Sequence, residues 1–198
     1  MTKRSICVFC ASTNGSRPEY ADAARELATE FLKHDIGLVY GGGTKGLMGI
    51  IAQTIHEGGG EVLGVNPAPL KNGSTSTYGD EIIVKDMHER KRTMCDRSDG
   101  FIAIPGGFGT MEELLEIITW SQLSIHSKPV LILNVCGFFD PFLQWLDLAV
   151  QEGFIIPSNR NIVIACNSVE EIIRLLDEYE PPNTRYDLKW DMPPSQLI

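Results

Sequence analysis

Short apolar, β-branched runs alternate along the chain with longer stretches whose apolar positions recur at helical spacing. The runs "SICVFC" (5–10), "IGLVYG" (36–41), "EVLGVN" (61–66), "EIIVK" (81–85), "GFIAI" (100–104), "PVLILN" (129–134) and "NIVIA" (161–165) predict strands. The amphipathic stretches predict helices over 17–34, 46–58, 88–97, 110–124, 139–152 and 168–179. The strand runs are almost continuously apolar, which marks strands buried on both faces. With helices between them, this is the pattern of an α/β fold, a doubly wound parallel sheet. Ligands in such sheets sit beyond the carboxyl ends of the strands, so the loops leaving strands 1, 2 and 5 are the informative ones.

Those three loops are unusual. The first is "CASTNGS", where Ser12, Thr13 and Asn14 offer side-chain hydrogen bonds. The second is "GGGTKGLMG" and the third "PGGFGT". Neither glycine loop is a dinucleotide fingerprint or a P-loop, because Lys45 precedes Gly46 and no Ser or Thr follows it. Two glycine-rich turns at strand carboxyl ends nevertheless favour a phosphate or ribose site.

A chain of 198 residues, 43% hydrophobic and 22% charged, fits one soluble domain with a real core. Its net charge of −9 argues against nucleic acid and anionic membrane as partners, so an anionic ligand must be met by a local cluster of donors. No signal sequence or membrane-length apolar run is visible. Five cysteines, an odd number scattered among apolar segments, predict free thiols in a reducing compartment, with the cytoplasm as location. Cys7 and Cys10 form a CxxC, but residues three apart on a strand face opposite ways, so the pair is not read as a redox motif. From Tyr179 onward, with four prolines and no helical period, residues 181–198 are expected to lie as an extended tail on the 1–180 domain or against a partner.

"MHERK" supplies the missing positive charge just ahead of strand 5. Arg90, Lys91 and Arg92 are either a solvated helix face or an anion clamp, and a guanidinium holds phosphate or carboxylate bidentately. His88 has no partner at ligand spacing, so no metal site is expected. Thr110-Met111-Glu112-Glu113 has the T-x-x-E spacing of a capping box, with Thr110 as N-cap and Glu113 reaching back to its amide. The same glutamate is a candidate reagent. Pro105-Gly106-Gly107 brings more glycine than a cap requires.

"GGGTKGLMG", "MHERK" and "PGGFGTMEELLEIITW", in this order, resemble the LOG ("lonely guy") family, from about Ser5 to about Tyr179. Its members are cytokinin riboside 5′-monophosphate phosphoribohydrolases, and relatives have often been labelled lysine decarboxylases. The resemblance implies a Rossmann-like, three-layer, single-domain fold, a homodimer, no cofactor, and a nucleoside 5′-monophosphate substrate cleaved to free base and ribose 5-phosphate. It places the catalytic residues at Arg90 and Glu113 and the phosphate cradle at Gly106, Gly107, Gly109 and Thr110. Lys91 and Thr119 match further substrate-contacting positions, and Met87 the base pocket. The contact set extends to Ser12, Gly43 and Thr44 in the first two loops and to Phe108, Met111 and Glu112 in the signature. One departure stands out: many plant relatives carry a glutamate in the loop after strand 3, where this chain has Lys71 and Asn72.

Cleaving a glycosidic bond builds positive charge on the ribose ring, which a carboxylate can stabilise while positioning or deprotonating water. A helix N-terminus is expected to keep Glu113 ionised and to bind phosphate without a metal. Asp86 and His88 are the candidates for protonating the departing base. Two other readings compete: a non-catalytic nucleotide-sensing module, and a pyridoxal-phosphate decarboxylase. The decarboxylase needs a Schiff-base lysine, for which neither Lys45 nor Lys91 has an apolar setting.

Overall fold

In the computed structural model, which describes residues 3–71 and 77–190, strands and helices alternate along the chain. The order is β1 (Ser5–Phe9), α1 (Pro18–Lys33), β2 (Gly37–Tyr40), α2 (Gly46–Glu57), β3 (Val62–Pro67), a single turn α3 (Ala68–Lys71) and β4 (Asp80–Val84). Then come α4 (Met87–Asp96), β5 (Gly100–Ala103), α5 (Phe108–Gln122), β6 (Val130–Leu133), α6 (Asp140–Gln151), β7 (Val163–Cys166) and α7 (Val169–Glu178). Every strand and helix read from the periodicity is present to within a residue or two. The additions are α3 and 3₁₀ turns at Val135–Gly137 and Pro157–Ile162, all too short to carry a periodic signal.

The strands form one sheet, β4-β3-β2-β1-β5-β6-β7, and every neighbouring pair is parallel. Ile6 stands between Leu38 and Gly100, and Val8 between Tyr40 and Ile102. The chain walks outward from β1 to β4, then returns to the other side of β1 for β5 to β7. The order therefore switches between β1 and β5, and the loops above those two strands diverge to leave a crevice. The fold is Rossmann-like α/β, with a layer of helices on each face of the sheet.

Each face has its own core. Ile6, Val8, Leu38 and Tyr40 pack with Leu27 and Phe31 of α1, Leu47 and Ile51 of α2, and Ile172 of α7. Cys7, Phe9, Val39 and Phe101 pack on the other face with Met94 of α4, Leu114 and Ile117 of α5, and Leu146 of α6. Fully burying each such Leu, Ile or Phe contributes about 1.5–3 kcal/mol. Cys7 and Cys10 fall in opposite cores, as a strand's alternation requires, and both are free thiols.

Two helix starts carry reciprocal caps. Asp86 accepts from the Glu89 amide at 2.9 Å while the Glu89 carboxylate accepts from the Lys85 amide at 2.8 Å. Ser168 and Glu171 repeat the arrangement at α7, at 3.2 Å and 2.9 Å. Helix α5 has none: it begins two residues before Thr110, with Gly107 at the N-cap and no side-chain cap. The capping-box reading of Thr110 and Glu113 is thereby corrected. With Gly107 and Gly109 offering no side chain to obstruct it, the helix turn extends back over the glycine loop, and Thr110 becomes its third residue.

The far end of α5 is finished from a distance. Arg185 Nη1 donates to the carbonyls of His126 (2.7 Å) and Ser121 (3.2 Å), the Tyr186 amide to Gln122 (2.9 Å), and Trp190 Nε1 to Leu123 (2.8 Å). Residues 179–190, free of helix and strand, thus bond to carbonyls at and just beyond the C-terminus of α5. The rest of the expected tail, 191–198, lies outside the described residues. Among the described residues no helix is long and apolar enough to cross a membrane.

Candidate active site

Arg90 and Glu113 meet at the carboxyl end of the sheet, each only 8% exposed. Arg90 stands in the first turns of α4, and its Nε donates to the Val65 carbonyl of β3 at 3.0 Å. Its Nη1 donates to Glu113 Oε1 in a buried ion pair. Twenty-three residues apart in sequence, the two side chains meet because α4 and α5 lie on the same face of the sheet, over a shared core.

Burial pushes the Glu113 carboxyl above its ordinary range, and the Arg90 charge and hydrogen bond work against that rise. The expectation that a helix N-terminus would hold this group ionised is corrected. Glu113 is the sixth residue of α5, and the macrodipole's influence fades within the first turn. The guanidinium opposes the rise without cancelling it.

Beside the pair opens a cavity of about 300 Å³ lined by Ser12 and Thr13 of the first loop, Met48 of α2, and Phe108, Gly109 and Thr110 of α5, together with Arg90 and Glu113. The first-turn amides of α5 have no carbonyl four residues back and no capping side chain, so they point free N–H groups at the opening. Gly106 is required here: a Cβ on it would overlap Thr110 Oγ1 and lie 2.6 Å from Thr110 Cβ. It faces a neighbouring 240 Å³ cavity on the far side of Gly107, walled by Tyr20 and Phe138.

The structure thus gathers Ser12, Arg90, Gly107, Phe108, Gly109, Thr110 and Glu113 around one space. The other expected contacts stand elsewhere within this chain. Met87, Glu112 and Thr119 are exposed on α4 and α5, the Thr119 hydroxyl donating to the Leu115 carbonyl at 2.8 Å. Met111 packs toward the core beneath α5. Asp86 is occupied as the α4 cap and His88 is exposed, so neither candidate proton donor lines the cavity. Asn72 lies outside the described residues. Lys71 pairs with Glu81, whose carboxylate also accepts from Thr77 and Asn66 at 2.7 Å each, closing the base of the β3–β4 connection.

The second glycine loop, which holds Gly43 and Thr44, does not line the cavity. The amides at the start of α2 are spent on the first loop: Leu47 donates to the Thr13 carbonyl at 3.3 Å and Met48 to that of Ala11 at 3.2 Å. A Cβ on Gly46, at φ +61°, would overlap the Ser12–Thr13 backbone. Leu47 and Met48 thereby brace the first loop. Sequence reasoning missed Met48 and the Val65 carbonyl, since one reads as ordinary core and a carbonyl leaves no trace in residue type.

Lys91, also buried, pairs with Glu112 and with Glu116, the latter at 2.9 Å. Burial works against its charge, but the two glutamates outweigh it and raise its pKa above the ordinary lysine value. A Schiff base needs the reverse. No lysine lines the cavity, so the decarboxylase reading finds no support in this geometry.

The family described as "Possible lysine decarboxylase" matches residues 48–176. The probable cytokinin riboside 5′-monophosphate phosphoribohydrolase LOGL2 of Oryza sativa subsp. japonica is 49% identical over 193 residues, 96% of this chain and 79% of that protein. The cytokinin riboside 5′-monophosphate phosphoribohydrolase LOG3 of Arabidopsis thaliana is 47% identical, over 96% of this chain and 90% of that one. Among solved structures, the molybdenum cofactor binding protein of Rippkaea orientalis shares the fold at 25% identity and a TM-score of 0.65, covering 90% of this chain and 98% of that one. With near-half identity over almost its whole length, and with Gly107, Gly109 and Glu113 of the signature gathered at one cavity, the chain belongs to the LOG family.

Proposed function

We propose that the chain hydrolyses the N-glycosidic bond of cytokinin riboside 5′-monophosphates, releasing the free base and ribose 5-phosphate, and so activates cytokinins. The observation that carries this reading is the buried Arg90–Glu113 pair beside a cavity rimmed by the free amides of α5. The names of relatives near half identical point the same way.

In this reading the phosphate sits on the amides of Gly107 to Thr110, with the hydroxyls of Ser12 and Thr13 opposite, and needs no metal. That anchor sets the ribose C1′ over Glu113. As the bond to the base breaks, its electron pair leaves with the base nitrogen, and the carboxylate faces the positive charge left on the ring. Water adds to C1′ and gives a proton to Glu113, and the base nitrogen takes up a proton. Burial helps here, because a carboxyl pushed upward is a better base near neutral pH. Arg90 fixes the carboxylate's orientation through Nη1.

Purified protein offered AMP, isopentenyladenosine monophosphate and the matching nucleosides is expected to release ribose 5-phosphate from the monophosphates. Nucleosides should react slower by about two orders of magnitude or more, because the anchor supplies the orientation. Protein that leaves every monophosphate intact overturns the reading.

The chain is also read as a homodimer in a reducing, cytoplasmic setting. Met87, Phe108 and Leu115 lie exposed on α4 and α5, a face suited to a second copy, and all five cysteines are free. Light scattering behind size exclusion is expected to give twice the 21.9 kDa chain mass, and a single-chain mass refutes the dimer.

A further inference from the structure

We propose that Gly41, the first glycine of "GGGTKG", is a positioning residue for the reaction: its missing side chain is the slot that seats the Arg90 guanidinium. The inference rests on the Arg90–Glu113 reading above and adds to it a residue with no contact to substrate.

The glycines of this loop are required for different reasons. Gly42 and Gly46 hold φ of +73° and +61°, backbone that favours glycine whatever surrounds it. Gly41 does not: its φ lies outside the left-handed region, so its backbone alone would accept alanine. What forbids a side chain there is space. A Cβ on Gly41 would overlap Arg90 Nη2, and would stand 3.5 Å from Cζ and 3.2 Å from Met48 Sδ. Met48 is unbranched and gives way at small cost. The guanidinium is tethered on two sides, Nε to the Val65 carbonyl and Nη1 to Glu113, so it can make room for a Cβ only by straining those bonds.

Three sides of the Arg90 head are therefore fixed: a β3 carbonyl behind, the reacting carboxylate in front, and bare Gly41 backbone against Nη2. A planar fork held this way presents Nη1 in one orientation. A methyl group at Gly41 moves the fork as a unit, loosening its hold on Glu113 while the phosphate cradle at α5 stays untouched. The signature of such a displacement is a fall in turnover with little change in substrate affinity.

The test is a cycle of Gly41→Ala, Arg90→Lys and their combination, assayed for base release from a monophosphate, with Glu113→Gln as reference. Lysine lacks the Nη2 branch that a Cβ would strike. Gly41→Ala alone is expected to lower kcat by about 100-fold, the scale of an ångström-sized misplacement, with KM changed by less than about threefold. In the Arg90→Lys background the same alanine is expected to cost almost nothing. The single variant's acid limb should also move to higher pH, since a displaced guanidinium opposes Glu113 protonation less. The other titratable groups acting on that carboxyl, Lys91, Glu112 and the buried thiols of Cys7 and Cys10, are unchanged. An equal loss in both backgrounds, or an unmoved acid limb, overturns the proposal. Should Arg90→Lys and Glu113→Gln both turn over like wild type, the underlying reading fails instead, and that result is distinct from slow variants without coupling.

Discussion

Replacing Glu113 by glutamine is expected to slow base release by about 10²–10⁴-fold, the usual range for a positioned base, while leaving the fold intact. Glutamine keeps an oxygen to accept from Arg90 Nη1 and a similar volume, so packing against α4 is preserved. It cannot carry negative charge or take a proton from water. The melting temperature should stay within about 4 °C of wild type, the shift that ~1 kcal/mol makes in a chain of this size. Linkage supports that expectation. Burial raises the folded-state pKa of Glu113 above its unfolded value, so its contribution to stability is present at low pH and is lost as pH rises through the folded value. The neutral amide escapes that loss. A variant that keeps its rate makes Glu113 structural and removes the mechanism.

How much of this was legible in the residues follows from what each signal measures. The central strands were readable because a sheet covered on both faces favours near-continuous apolar runs, as in "VLIL" of β6, while edge strand β4 showed itself by the shorter run Ile82–Val84. The convergence of Arg90 and Glu113 was readable only as motif resemblance, since their meeting depends on how α4 and α5 pack, and no spacing rule spans 23 residues. The T-x-x-E spacing misled because spacing cannot say where a helix begins when glycines precede it. Likewise, the two glycine loops look alike as strings and differ as structures. One aims free amides at a cavity, while the other gives its amides to a neighbouring loop and its first glycine to a guanidinium. Glycine marks where backbone must come close to something, and only the fold says to what.

Replacing Arg90 by alanine is expected to do as much damage as removing the carboxylate's charge. The guanidinium is the chief influence holding Glu113 down against burial, so without it the carboxyl rises further. Turnover should fall by about 10²–10⁴-fold, the range expected for Glu113→Gln, since the base is unaligned and its proton affinity is raised. The acid limb of kcat/KM should shift to higher pH than in wild type. Stability provides a second reading with a definite sign. In the variant the folded carboxyl binds its proton at pH values where the unfolded chain has released it, so the melting temperature should decline more steeply than in wild type as pH rises above the unfolded carboxylate's pKa. Because Arg90 lines the cavity, its slot is open to small solutes. Guanidinium ion added at millimolar concentration is expected to restore part of the rate and draw the acid limb back down. A variant whose acid limb stays at the wild-type position, with or without guanidinium, shows that Arg90 does not govern this carboxylate, and the paired mechanism falls with it.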